Sequence, residues 1–122
     1  MECIQKFTHE GKNFIYLDFS ELNASDELLS LIEEIKPVIA QYPEKSLYTI
    51  SNFEGIKLDS LPKQVVADYM KHNAPYVRYG AIIGMDGVKR LFVNTLMKMS
   101  GRKNIYIAFS KEQAIEWLLK QD

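Results

Sequence analysis

Four short apolar runs divide the chain, at residues 13–19, 47–50, 76–85 and 105–109, and each is followed by a stretch whose apolar side chains recur at helical spacing. Strands that alternate with helices in this way form largely parallel sheets through right-handed crossovers. A weaker alternating run, residues 3–8, leads through Glu10-Gly11-Lys12 into the first of the four, so an N-terminal hairpin places an antiparallel strand at one edge. The order (β)-β-α-β-α-β-α-β-α has no linker, low-complexity stretch or repeat, and residues 1–122 read as one α/β domain with a central mixed, mostly parallel sheet and about four helices.

The punctuation between the runs sets finer expectations. Leu28, Leu31, Ile32, Ile35, Val38, Ile39 and Tyr42 form a helical stripe, and Pro37 inside it predicts a kink or break at residues 33–36, because proline removes a backbone donor and crowds the preceding turn. The unit at residues 47–69 reads as strand, loop and helix start. Its strand ends at Ser51, Asn52 and a Glu54-Gly55 turn, and Asp59 and Ser60 stand before Leu61-Pro62 as expected of helix caps. Gly84-Met85-Asp86-Gly87 turns the third core strand into a helix at about 88–99, closed by Ser100-Gly101, with Lys98 and Arg102 at its negative end. Ser110-Lys111-Glu112-Gln113 is a capping box for the last helix.

Alternation along the strands predicts two different sheet faces. Ile15, Leu17, Leu47, Thr49, Ile105, Ile107 and Phe109 share one face; Phe14, Tyr16, Tyr48, Ile50 and Tyr106 share the other. The second face is rich in tyrosine, and is expected either to lie under helices of the same chain or to serve as a dimerising or ligand-holding surface.

Composition removes several function classes. With 15 Lys and Arg against 16 Asp and Glu the net charge is −1, which leaves no electrostatic footprint for nucleic acid. One cysteine, Cys3, rules out an internal disulfide and fits a reducing compartment. No apolar run approaches the ~20 residues of a membrane span, and the N-terminal sequence lacks the pattern of a signal peptide, so a cytoplasmic location is expected. His9 and His72 have no partners at metal-ligand spacing. The loop at residues 84–87 lacks the glycines and lysine of a nucleotide loop. Asp18, Glu21 and Asp59 could converge at one sheet edge, where α/β domains place ligands and where carboxylates can exchange protons. No cofactor and no catalytic set is expected.

The stretch LYTISNFEGIKLDSLPKQVV resembles the strand-loop-helix of the STAS domains, the family of the sporulation anti-sigma factor antagonist SpoIIAA, and IYIAFSKEQAIEWLLK resembles the ending of its SpoIIAA-like branch. The resemblance implies a SpoIIAA-like (βα) superhelix and a non-enzymatic regulator that works by protein association. The surface it implies includes Asn52, Glu54, Asp59, Ser60 and Leu61, and the partner is a regulatory kinase or sigma-pathway protein. STAS regulators are switched by phosphorylation of the second hydroxyl residue in an Asp-Ser-Ser-Gly run. Here Asp59 and Ser60 match the first two positions, while Leu61 stands at the acceptor and Pro62 at the glycine, which leaves Ser60 as the nearest modifiable hydroxyl. Other branches are proposed to carry small lipid-like molecules. Met70, Met85, Phe92, Met97 and Met99 could line a corresponding pocket between helices and the tyrosine-bearing sheet face.

Overall fold

A computed structural model describes residues 3–20, 22, 25–57, 62–85 and 87–121. The chain runs β1 (Ile4–His9), β2 (Lys12–Asp18), α1 (Ser25–Ile39), β3 (Leu47–Asn52), α2 (Lys63–Asn73), β4 (Val77–Ile83), α3 (Arg90–Ser100), β5 (Ile105–Ala108) and α4 (Lys111–Leu119). The five strands lie in the sheet in chain order. β1 pairs antiparallel with β2, and β2 to β5 are parallel. The fold is thus the expected α/β one. At the hairpin, Glu10 (φ 51°) and Gly11 (φ 79°) both take left-handed conformations, the combination that matches a two-residue turn to strand twist.

Chain-order strands dictate where the helices go. Three successive crossovers step the same way across the sheet, so a common hand puts α1, α2 and α3 on one face. There Ile15, Leu17 and Leu47 meet Ile32, Ile35, Val66 and Leu96 in the larger core. After β5 the chain makes no further crossover among the described residues, and α4 folds over the opposite face. It covers Phe14, Tyr48 and Ile50 with Ala114 and Leu118. The tyrosine-bearing face is therefore roofed by the chain's own last helix. Trp117 stacks on Tyr106 at 4.6 Å and 5°, and meets Tyr79 edge-on. Lys12 Nζ donates to the carbonyls of Leu119 and Gln121, tying the end of α4 to β2.

Three expectations are corrected. No break interrupts α1: Pro37 sits within its last turn at an exposed position, where the missing N–H leaves only the Glu33 carbonyl without its helical partner. The chain then closes with short-range bonds from Gln41 N–H to Val38 and from Tyr42 N–H to Ile39. Second, α2 is capped by Pro62, whose extended ψ of 114° ends the helical run and which has no side-chain acceptor to offer. Asp59 and Ser60, the caps expected from the sequence, lie outside the described residues. Third, Phe109 lies beyond the end of β5 and is exposed rather than packed under helices.

The capping box is present in a shifted form. Ser110 Oγ accepts from Gln113 N–H at 3.0 Å, and Gln113 Oε1 accepts from the N–H of Phe109 at 2.6 Å, one residue ahead of the cap. Ser110→Ala is expected to cost about 1 kcal/mol, measured as a lower urea midpoint with an unchanged slope. Because α4 alone roofs the second core, this loss should appear in global stability.

Candidate functional sites

Two places stand out: a rim where the parallel strands end, and a cavity under α2 and α3.

The rim begins with β3. Asn52 is committed to structure: its Nδ2 donates to Tyr16 Oη and its Oδ1 accepts from Glu54 N–H, both at 3.0 Å. Phe53 then turns inward and stacks on Phe19 at 4.5 Å, while its N–H donates to Ile83. Ile56 is also buried, so among the described residues of this loop Glu54, Gly55 and Lys57 are exposed to solvent. The loop after β4 locks against it. Gly84 (φ 88°) approaches the Glu54 backbone so closely that a Cβ there would lie 2.4 Å from the Glu54 nitrogen. A 3-10 turn (Gly87–Lys89) follows, and Lys89 Nζ donates to the Ile56 carbonyl at 3.0 Å. Two buried residues and these cross-loop contacts make the rim a preorganised surface.

Beside Glu54 and Lys57, that surface presents large apolar side chains. Among the described residues the exposed large hydrophobic side chains are Leu29, Val88, Leu91 and Phe109. The last three, at 86 %, 73 % and 64 % exposure, all follow the C-terminal ends of β4 and β5. Single exposed hydrophobics need no explanation, but grouping at one end of a sheet does.

The cavity, about 50 Å³, lies between the sheet and the helices α2 and α3. It sits on the face opposite the tyrosines, not beneath them as the sequence implied. Met70 and Met85 line it; Phe92, Met97 and Met99 pack against the core without reaching it. Pockets for lipid- or drug-sized ligands run to roughly 300–1,000 Å³, so this space holds a few atoms.

Its polar end is made by α2 and the segment after α3. Arg102 is 6 % exposed. Its Nε donates to Asn104 Oδ1 at 2.9 Å and its Nη1 to the Met70 carbonyl at 3.1 Å. Arg102 Nη2 and the Tyr69 hydroxyl are buried without a hydrogen-bond partner. Burial pushes the Tyr69 hydroxyl well above the usual phenol range, with Asn73 and the Arg102 charge opposing, so it is a proton donor and not a base. Burial likewise lowers the Arg102 guanidinium to about 10, still charged at neutral pH. Among the described residues, no carboxylate, histidine or cysteine lines the cavity. The arrangement can bind and polarise, and it offers no acid–base pair.

Of the remaining expected residues, Asp18 is described. Asp18 is engaged by Ser20, whose N–H donates to its Oδ1 at 2.9 Å. Glu21, Asp59, Ser60 and Leu61 lie outside the described residues. Among the described residues, no three His, Cys, Asp or Glu could hold a metal ion together, and no helix is long and apolar enough to cross a membrane. Arg102 was legible only as a cation at a helix end, and its burial has no signature in the local sequence.

Comparison with protein-family models, with curated proteins and with solved structures finds no match to this chain.

Proposed function

We propose that this chain is a non-enzymatic binding module that regulates another protein by associating with it through the rim at the C-terminal ends of β3, β4 and β5. The observation that carries this reading is the concentration there of Val88, Leu91 and Phe109, the most exposed large hydrophobics among the described residues. Their neighbour is the strand-loop-helix, Asn52 and Glu54 included, that resembles the STAS regulators. The module is read as cytoplasmic; by the resemblance its partner is a regulatory kinase or sigma-pathway protein, and Ser60 is the hydroxyl whose modification would add negative charge.

Hydrophobic anchors at an interface centre each cost ~1–2 kcal/mol or more when disrupted. The double variant V88K/L91K, which touches only exposed positions, should therefore lose about tenfold or more in affinity for a partner retained by the wild type. Co-purification followed by titration with the isolated partner checks this. Ser60→Asp should weaken the same complex. Equal retention by wild type and V88K/L91K would place the interface elsewhere. Light scattering on both proteins shows whether a second copy of the chain occupies this surface.

A further inference from the structure

The buried polar pair under α2 is unexplained by a rim interface. Arg102 is a cation with neutral partners: Asn104 Oδ1 takes Nε and the Met70 carbonyl takes Nη1. Among the described residues no ion pair reaches it. Buried charges are normally paired, because an unpaired one forgoes hydration without compensation. Its third nitrogen, Nη2, has no acceptor at all, and neither has the hydroxyl of Tyr69. The two residues lie close enough that each perturbs the other's ionisation. Both line the same enclosed space.

The sheet leaves that space open by what it lacks. Gly80 on β4 has a negative φ that any residue adopts, so its backbone does not demand glycine. A Cβ at Gly80 would come within 2.8 Å of Thr49 Oγ1 and stand 3.9 Å from Arg102 Nη2. The missing side chain thus clears the floor beneath the unpartnered guanidinium nitrogen.

We propose that this cavity is a binding site for a small monocarboxylate with a short apolar tail, its two oxygens accepting from Arg102 Nη2 and the Tyr69 hydroxyl.

The ligand class follows from number, charge and volume. Two unpaired donors suit two carboxylate oxygens, and one uncompensated positive charge suits a monoanion. Most of the wall is apolar, Leu17, Phe53, Met85, Val93 and Leu96 included, and Thr49, Ser51 and Asn73 add uncharged polar groups. A doubly charged phosphate would bring a second negative charge, for which the lining residues offer no cation besides Arg102. A cavity of about 50 Å³ has room for roughly three or four water-sized groups, which suits acetate best, makes propionate and butyrate progressively tighter, and excludes an acyl chain. Outside, Lys45, Arg78 and Lys103 border a surface groove that shares Arg102 with the cavity, with no acidic side chain among its lining residues. A groove of one sign raises the local concentration of the opposite ion at the place where Arg102 meets solvent.

The test is titration of the wild-type chain with sodium acetate, propionate and butyrate, with sodium phosphate and sodium chloride as parallel arms, followed through the Arg102 Nε–Hε resonance in proton–nitrogen correlation spectra. Saturable shifts with one or more carboxylates, at millimolar concentrations fitting a ligand of so few atoms, are expected. Chloride should not produce them. Tyr69→Phe keeps the ring and removes an unpartnered hydroxyl, so the fold should survive while affinity falls about tenfold or more. Arg102→Met should abolish binding, and if that variant does not fold, Tyr69→Phe decides alone. Absence of saturation with every carboxylate overturns the proposal, as does saturation with phosphate only. Unchanged affinity in Tyr69→Phe overturns it too. None of these outcomes bears on V88K/L91K, so the cavity and the rim stand or fall separately.

Discussion

Gly84→Ala should cost about 3 kcal/mol or more, the largest loss expected of any glycine-to-alanine change in this chain. Two effects add. At φ 88° an L side chain is strained by roughly 1–2 kcal/mol. The added Cβ would also lie 2.4 Å from the Glu54 nitrogen, 2.7 Å from the Glu54 Cα and 2.7 Å from the Phe53 carbonyl carbon. These are backbone atoms with no rotamer to escape into, so the loops after β3 and β4 must separate, at an overpacking cost of ~1–3 kcal/mol. Gly87→Ala supplies the control. Its φ is also positive, at 65°, but nothing lies within 4 Å of the added atom, so it should lose only the conformational part. Urea denaturation of both variants isolates the close approach as their difference. Equal losses would mean that the two loops of the rim are not pressed together.

That close approach was not visible in the sequence, although much around it was. Strands β2 to β5 announce themselves because a parallel sheet covered on both sides needs apolar residues at successive positions, and Phe14 to Leu17 or Ala81 to Ile83 can hardly be read otherwise. Alternation correctly separated Ile15 and Leu17 from Phe14 and Tyr16, since pleating is a local property. Ser110 and Gln113 likewise announced α4 through local capping chemistry. The failures concern relations between distant segments. Whether Pro37 breaks a helix depends on how many turns follow it. Whether Phe109 is buried depends on where β5 stops and α4 departs. The polar end of the cavity joins Tyr69 on α2 to Arg102 beyond α3, 33 positions later, and no spacing rule covers that. As for Gly84, its turn was legible, but its contact with Glu54, 30 positions earlier, is a product of the β3–β4 register, in which Asn52 lies opposite Ile83.

Rim and cavity share a structural support, and it is an aromatic one. Phe19, 1 % exposed, follows β2 and packs its ring parallel to Phe53 at 4.5 Å, with its edge toward Tyr69 at 6.3 Å and 72°. Phe53 belongs to the rim loop and also lines the cavity, whereas Tyr69 supplies the cavity's hydroxyl. Phe19 N–H also donates to the Asn52 carbonyl at 2.8 Å, but that bond is made by backbone and survives a side-chain change. Phe19→Ala should therefore destabilise the domain by about 3–5 kcal/mol, the usual cost of emptying a fully buried phenylalanine site. That is a large part of the ~5–15 kcal/mol available to a domain of this kind. Phe19→Leu keeps most of the apolar volume and loses mainly the ring stacking, worth roughly 0.5–1.5 kcal/mol beyond area, so it should fall well short of the alanine variant. In hydrogen exchange, the amides of Phe53 and Ile56, held by Ile83 and Phe53 carbonyls, should lose protection in Phe19→Leu more than the amides of α4, which lies across the sheet in the other core. A loss of less than about 2 kcal/mol in Phe19→Ala would be too small for a filled site and would remove Phe19 as the support of both surfaces. Uniform loss of protection in Phe19→Leu would instead show that the two cores open together, leaving the rim no local stability of its own.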